Sequence, residues 1–271
     1  MPKLVPLFDR LINDNLFKNK EEALPYILAG KVYIGQQRAK SLMECCDPKT
    51  PIIVKGKDTR FVSRGGIKLE YAIKAFNIDV QGRVCFDAGA STGGFTDCLL
   101  QHGARMVYAV DTGFGQLSGK LRQDKRVQNY EKTNISHPKL LTLEPLPDLG
   151  CMDLSYLSVL KGIPIYQSIL RKKGEVICLV KPLFEINDPQ ARRSGIIPQS
   201  SYINILNTLV TALNNFPNLS VIGVAASPIR GSGGTYEFLL HVQFSAQHKT
   251  YSLAQMIIRA VSMEPFDTMI S

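Results

Sequence analysis

Four ionisable side chains, Lys68, Asp153, Lys181 and Glu237, fall where an α/β sheet concentrates its chemistry. Asp153 closes the apolar run Gly150-Cys151-Met152-Asp153, and Lys181 closes Cys178-Leu179-Val180-Lys181. Glu237 opens a last run, Tyr236-Glu237-Phe238. Ligands of open α/β sheets bind outside the carboxyl ends of the parallel strands. An antiparallel strand begins where its neighbours end, so Glu237 is expected to face the same crevice. Lys68 lies in a helical segment ahead of the first strand, just after Ser63-Arg64-Gly65-Gly66. Two lysines and two carboxylates converging there could hold or move a proton at a nucleophile.

A second feature is Asp87-Ala88-Gly89-Ala90-Ser91-Thr92-Gly93-Gly94-Phe95-Thr96-Asp97. An acidic residue, a glycine-rich turn and a helix form the receiving end for a nucleotide-like ligand, because glycine lets backbone approach it closely. The spacing is not GxGxxG, and no Lys-Ser/Thr follows, which argues against dinucleotides and P-loop phosphates. Asp111 ends the next strand, where a carboxylate can accept hydrogen bonds from both ribose hydroxyls of an adenosine. With no phosphates to hold, and acidic residues such as Asp87 to meet an amino group, the turn suits S-adenosyl-L-methionine. The expected cofactor positions are Asp87, Gly89, Ala90, Ser91, Thr92, Gly93, Gly94, Phe95, Asp111 and Asp153, with Asn134 near the adenine.

The elements that must position these residues follow from periodicity. Strands are expected over 83–87, 106–111, 127–130, 149–153, 175–181, 219–225 and 236–244. Helices are expected over 68–76, 95–102, 116–123, 157–170 and 202–213. Apolar strands alternating with helices predict an α/β fold, a Rossmann-like sheet that is mainly parallel. Only residues 226–235 separate the last two strands, too few for a parallel crossover, so the final strand is expected to be antiparallel. Ahead of this lie short elements: helices over 4–13 and 20–28, a short strand within 30–35, and another over 51–54 ending in Lys55-Gly56-Lys57. They predict a small N-terminal α+β RNA-binding domain over 1–59, an interdomain linker over 60–66 and a catalytic domain over 67–271.

Charge agrees with a polyanion partner. The 271 residues carry a net charge of +9. Residues 1–67 hold 12 Lys/Arg against 7 Asp/Glu, more than half of that excess. A basic first quarter points to nucleic acid. The six cysteines form no CxxC pair and no zinc spacing, so no metal site is expected. No apolar run approaches the length of a membrane span, and charges interrupt the N-terminus where a signal sequence would be apolar. A cytoplasmic protein is expected, with no membrane contact.

Taken together, Arg60-Phe61-Val62-Ser63-Arg64-Gly65-Gly66-Ile67-Lys68-Leu69, the Gly89–Asp97 turn, Asp111-Thr112-Gly113-Phe114-Gly115-Gln116-Leu117 and Met152-Asp153-Leu154-Ser155-Tyr156 resemble the TlyA family. Its members are ribosomal RNA ribose 2'-O-methyltransferases with an FtsJ-like catalytic domain, often labelled hemolysins. The resemblance implies a Lys-Asp-Lys-Glu tetrad at Lys68, Asp153, Lys181 and Glu237, and an N-terminal module of the ribosomal-protein-S-four type. It also implies cytidine in ribosomal RNA, within ribosomal subunits, as the substrate. A ribose hydroxyl is a poor nucleophile until it loses a proton, and Lys181 is the candidate to take or steer that proton. The chain departs from the family where Ile34-Gly35-Gln36 replaces a Val-Asn-Gly turn, and at Leu183 and Thr235. Residues 184–198, with Arg192 and Arg193, read as either an RNA-contacting loop or a solvated polar one. The competing readings are a non-catalytic RNA-binding or assembly factor, a membrane-active hemolysin, and a nicotinamide oxidoreductase.

Overall fold

In a computed structural model of the chain, the described residues are 4–13, 16–17, 19–35, 37–48, 50, 52–55, 60–171, 174–186, 188–231, 235–245 and 253–263. Contacts between them separate two units, Met1–Thr59 and Arg60–Ser271.

The first unit contains β1 (Val5–Pro6), α1 (Leu7–Asn13), α2 (Lys20–Leu28), β2 (Val32–Ile34), β3 (Gln37–Arg38), β4 (Cys45–Cys46) and β5 (Ile52–Val54). β1 pairs with β4, and β2 pairs with both β3 and β5, all antiparallel. Leu7 and Leu11 of α1 and Ala23 and Ile27 of α2 recur at i,i+4 and bury one face of each helix against Val32, Leu42 and Cys46. The helix expected from residue 4 begins at Leu7 instead. Pro6 biases Val5 toward extended backbone, and β4 takes up the strand that results. Arg10 donates to the carbonyls of Asp47 (3.1 Å) and Thr50 (3.4 Å), so this basic residue ties down a loop. Gln36, Pro51, Gly56 and Lys57, which carry parts of the turn and strand expectations above, lie outside the described residues.

The second unit runs α3 (Gly65–Ala75), β6 (Val84–Ala88), α4 (Gly94–Gln101), β7 (Met106–Val110), α5 (Gly119–Arg122), β8 (Val127–Tyr130), β9 (Leu149–Met152), α6 (Val159–Ile169) and β10 (Glu175–Val180). It continues with α7 (Pro182–Glu185), α8 (Pro189–Ser194), α9 (Tyr202–Asn214), β11 (Leu219–Ala226), β12 (Phe238–Phe244) and α10 (Ala254–Ser262). The sheet order is β11-β12-β10-β9-β6-β7-β8. As expected, β12 is antiparallel, inserted between β10 and β11. Both faces of the sheet's central strands β6, β7, β9 and β10 are covered, which is why these strands are mostly apolar. Val84, Phe86 and Ala88 of β6 pack toward α6 and α9, while Cys85 packs toward α3 and α4, following the two-residue period of a strand. Phe86 meets Tyr166 edge-on, with ring centroids 5.4 Å apart, and the Tyr166 hydroxyl donates to the Cys151 carbonyl.

Three local outcomes differ from the periodicity or add to it. Residues 60–66 are packed: Phe61 is buried, and the Val62 N–H donates to Asp97 Oδ2 at 2.8 Å. The stretch 184–198, expected as a loop, contains α8. Asp188 caps it, accepting from Gln190 and Ala191 N–H, Pro189 starts it, and Gly195 in the left-handed region ends it. The C-terminal α10 buries Ile257, Ala260 and Val261 on one face, an i,i+3,i+4 set that was open to reading in the sequence. Among the described residues no helix is long and apolar enough to cross a membrane. None of their His, Cys, Asp and Glu side chains form a group that could hold a metal.

At the amino end of the sheet, Glu175 accepts from Arg83 and from His241 Nε2 (2.6 Å), while Arg83 also reaches Asp148 Oδ1 at 2.9 Å. Burial alone would raise the Glu175 carboxyl, but the hydrogen bonds and charges of His241 and Arg83 outweigh it and hold it down at about 2. A carboxyl depressed from its ordinary 4.5 stabilises the fold fully above pH 4.5, and that contribution fades as pH falls toward 2. Glu175→Gln is therefore expected to lose on the order of 2 kcal/mol near pH 7, discounted for partial exposure. The deficit relative to the parent chain should shrink between pH 4.5 and 2. Denaturant unfolding across that range checks this, and a pH-independent difference would remove the ion pair as its source.

Candidate active site

The sheet register sets the level of the site. Ala88 pairs with Val110 on one side and Met152 on the other. Gly89, Asp111 and Asp153 therefore leave the sheet together, one residue past three adjacent strands. Val180 pairs with Phe238, which brings Lys181 opposite Glu237. Lys68 reaches the same place from α3.

The four residues meet as two ion pairs. Lys68 donates to Glu237 Oε2, with side chains only 9% and 5% exposed. Lys181 Nζ lies 2.6 Å from Asp153 Oδ1, with side chains 18% and 25% exposed. It also donates to Ser155 Oγ at 2.9 Å and to the Leu154 carbonyl at 3.4 Å. The buried pair is a fixed floor, since either charge without the other would carry an uncompensated desolvation cost. The outer pair is the one a substrate can touch. Asp153 thus fixes the Lys181 ammonium from one side and Ser155 from another.

Two cavities adjoin at this point. A cleft of about 220 Å³ is lined by Gly89, Ser91, Asp111, Ile135 and Asp153, among others. A second cavity of about 520 Å³ is lined by Lys181, Phe184, Ile197, Tyr236 and Glu237, among others. Ser155 belongs to both. Among the described residues, the only charged ones lining the cleft are Asp111 and Asp153. A lining with carboxylates and no cation rejects phosphates and favours a ligand that carries positive charge and hydroxyl donors.

Backbone geometry builds the cleft. Gly89 has φ +84°, and a Cβ there would come within 2.3 Å of the Asp153 carbonyl oxygen, so only glycine fits. Ser91 also sits at positive φ, 48°, and its N–H donates to Asp111 Oδ2 at 2.8 Å. The Gly113 N–H donates to Asp111 Oδ1 at 2.7 Å. The Asp111 carboxylate is thus held by two amides, and each oxygen retains a lone pair for a ribose hydroxyl.

The remaining expected positions divide. Gly89, Ser91, Asp111 and Asp153 line the cleft. Gly93, at φ +96°, abuts Leu117 and Leu121, while Ala90, Gly94 and Phe95 are buried, so these shape the turn from behind. Thr92 is exposed, and its carbonyl accepts from the Ser118 N–H at 3.2 Å. Asp87 is fully buried behind the turn, where Thr96 Oγ1 donates to its Oδ2 at 2.6 Å and its Oδ1 has no partner among the described residues. Burial pushes its carboxyl up to about 7 despite the Thr96 hydrogen bond. The Asn134 side chain turns back onto Ser136 N and Oγ (3.0 and 2.9 Å), and its neighbours Thr133 and Ile135 line the cleft instead. Sequence reasoning also missed Gln116, which meets Ser91 Oγ at 3.2 Å, and Ser155, although both stand inside motifs it quoted.

Comparison with known proteins agrees with this geometry. The FtsJ-like methyltransferase family profile matches residues 61–244. The chain is 34% identical over 260 residues, 94% of its length and 96% of the relative's, to the 16S/23S rRNA (cytidine-2'-O)-methyltransferase TlyA of Mycobacterium tuberculosis. It is 35% identical over 226 residues, 83% of its length and 93% of the relative's, to Hemolysin A of Brachyspira hyodysenteriae. A solved structure of a Streptococcus thermophilus protein superposes with a TM-score of 0.71 at 35% identity, covering 96% of both chains.

Proposed function

Because the chain belongs to the FtsJ-like methyltransferase family, we propose that it methylates the 2'-oxygen of a cytidine ribose in ribosomal RNA, using S-adenosyl-L-methionine. The observation that carries this reading is the junction at Ser155. There, a cation-free cleft suited to the cofactor meets a cavity whose wall presents Lys181. Relatives named for cytidine-2'-O methylation of rRNA support the acceptor.

The residues fit the cofactor. Asp111 would accept from the ribose hydroxyls, the Gly89–Ser91 backbone would allow close approach, and the Asp153 carboxylate would meet the amino group. Asp87 acts from behind the turn, holding Thr96 and thereby the start of α4. When bound, the cofactor supplies a sulfonium-activated methyl group. The protein's part is to hold the hydroxyl in line with that methyl and to receive its proton. Asp153 and Ser155 fix the Lys181 nitrogen at the junction, where it takes the proton as the neutral amine or, as the ammonium, orients the hydroxyl that loses it. Lys68 and Glu237 hold the floor beneath.

The first unit supplies RNA affinity, and the substrate is rRNA within ribosomal subunits, which places the reaction in the cytoplasm. Arg38 and Lys40 are exposed on that unit. Arg38→Glu with Lys40→Glu is expected to weaken RNA binding and to flatten its salt dependence by roughly one slope unit per lost phosphate contact. Cofactor affinity should stay unchanged, and an unaltered salt slope would place RNA affinity elsewhere. The function itself is tested by incubating the chain, S-adenosylmethionine and unmodified ribosomal subunits, then digesting the rRNA to nucleosides for mass spectrometry. Appearance of 2'-O-methylcytidine supports the reading, and a methylated base or no product overturns it.

A further inference from the structure

Two segments carry the outer ion pair, and each leads into a helix. Residues 153–158 lead from Asp153 and Ser155 into α6, which begins at Val159. Lys181 leads directly into α7, which ends at Glu185. The first N–H groups of a helix need acceptors from outside it. Ser158, the residue before α6, offers no side-chain cap. The acceptor comes from the other segment, because Glu185 Oε1 takes the Val159 N–H at 2.8 Å.

The two segments are therefore fastened twice. Lys181 meets Asp153 and Ser155 at one end, and Glu185 meets Val159 at the other. Between the fastenings lie Tyr156, Leu183 and Phe184, which line the cavities flanking the junction. If the second tie is lost, the first is left to hold loops on both sides by itself.

We infer that Glu185 is a positioning residue for methyl transfer, setting where the Lys181 nitrogen stands relative to Asp153 and Ser155 by capping α6 from the Lys181 side. It touches neither cavity at Lys181 nor the cofactor cleft, and lies instead in a neighbouring groove of about 990 Å³ between α6 and α9. Burial, opposed by the Val159 hydrogen bond, raises its carboxyl to about 7. The charged or titratable groups sharing its surroundings are Lys161 of α6, Arg192 of α8, Tyr156 and, from β10, the buried Cys178. Arg192 is engaged with the Ile186 carbonyl at 2.6 Å, and among the described residues no ion pair explains why the carboxyl group is kept there. The hydrogen bond to α6 does.

The inference rests on the methyltransferase reading above, and the experiment separates the two. Methylation of ribosomal subunits is measured for the parent chain, Glu185→Gln, Glu185→Ala and Val159→Pro. Proline is tolerated at the first position of a helix, and Ser158 already has the extended backbone a following proline requires. Val159→Pro thus removes the donor while leaving Glu185 in place. Glu185→Ala and Val159→Pro are each expected to lower kcat about ten- to a hundredfold, the scale of an ångström-sized misplacement. KM for RNA and cofactor affinity should move less than about threefold. Glu185→Gln, which still accepts the N–H, should keep kcat within about threefold of the parent, and the double variant should be no worse than either single one. A parent-like kcat in both donor and acceptor deletions overturns the inference, as does a Gln variant as slow as the Ala variant. A parent chain with no methylation at all would instead overturn the functional reading.

Discussion

Lys181→Ala is expected to lower the rate of methyl transfer by about two to four orders of magnitude, the usual worth of a positioned proton-transfer group. Cofactor affinity and the unfolding midpoint should stay near those of the parent. The second half of that expectation comes from the geometry. Lys181 and Asp153 are partly exposed, so removing the lysine leaves Asp153 a charge that water can reach. The same experiment at Lys68 would be ambiguous. Its loss would strand Glu237, only 5% exposed, without a partner, at about 3–5 kcal/mol of stability. Lys181 is thus the position where chemistry can be removed without removing the fold. Nucleoside mass spectrometry of rRNA gives the rate, and thermal unfolding gives the control. Undiminished 2'-O-methylcytidine from the alanine variant would take Lys181 out of the reaction.

How these residues could be picked out before any fold was known has a physical explanation. Apolar runs interrupted by a single charge, such as Cys-Met-Asp at 151–153 and Val-Lys at 180–181, mark strand ends because a charge within a buried parallel strand is costly. The antiparallel placement of β12 followed from chain length alone, since 226–235 is too short for a crossover. Pairing within the tetrad was not legible. Nothing in linear order says that Lys68 takes Glu237 while Lys181 takes Asp153, because that depends on how α3 crosses the sheet. The turn was read as eight cofactor contacts, whereas Asp87 is still buried within β6 and helix entry turns Gly93, Gly94 and Phe95 inward. Asn134 stood out as a polar side chain, but a local turn to Ser136 engages it and leaves Thr133 and Ile135 to line the cleft. The capping of α6 by Glu185 was equally invisible, because donor and acceptor are 26 residues apart and neither belongs to a motif.

The second large effect is expected at Gly89, and a comparison with Gly115 isolates its cause. Both glycines have positive φ, +84° and +70°, and both belong to turns that border the cofactor cleft in sequence. Alanine at either position pays for the left-handed backbone, about 1 kcal/mol. At Gly115 nothing lies within 4 Å of an added Cβ, so that strain should be the whole effect. At Gly89 the Cβ would lie 2.3 Å from the Asp153 carbonyl oxygen and 2.9 Å from its carbon. Both are backbone atoms, which cannot swing aside as a side chain would. Moving them displaces the residue that pairs with Lys181 and widens the wall of the cleft, adding about 1–3 kcal/mol of overpacking. Gly89→Ala is therefore expected to cost about 2–4 kcal/mol in unfolding free energy, against about 1 kcal/mol for Gly115→Ala. S-adenosylmethionine affinity should fall more than about tenfold in the first variant and little in the second. Denaturant unfolding and calorimetric titration measure the two quantities on the same samples. Equal losses at the two positions would mean that left-handed strain alone, and not contact with Asp153, is what demands glycine at the turn.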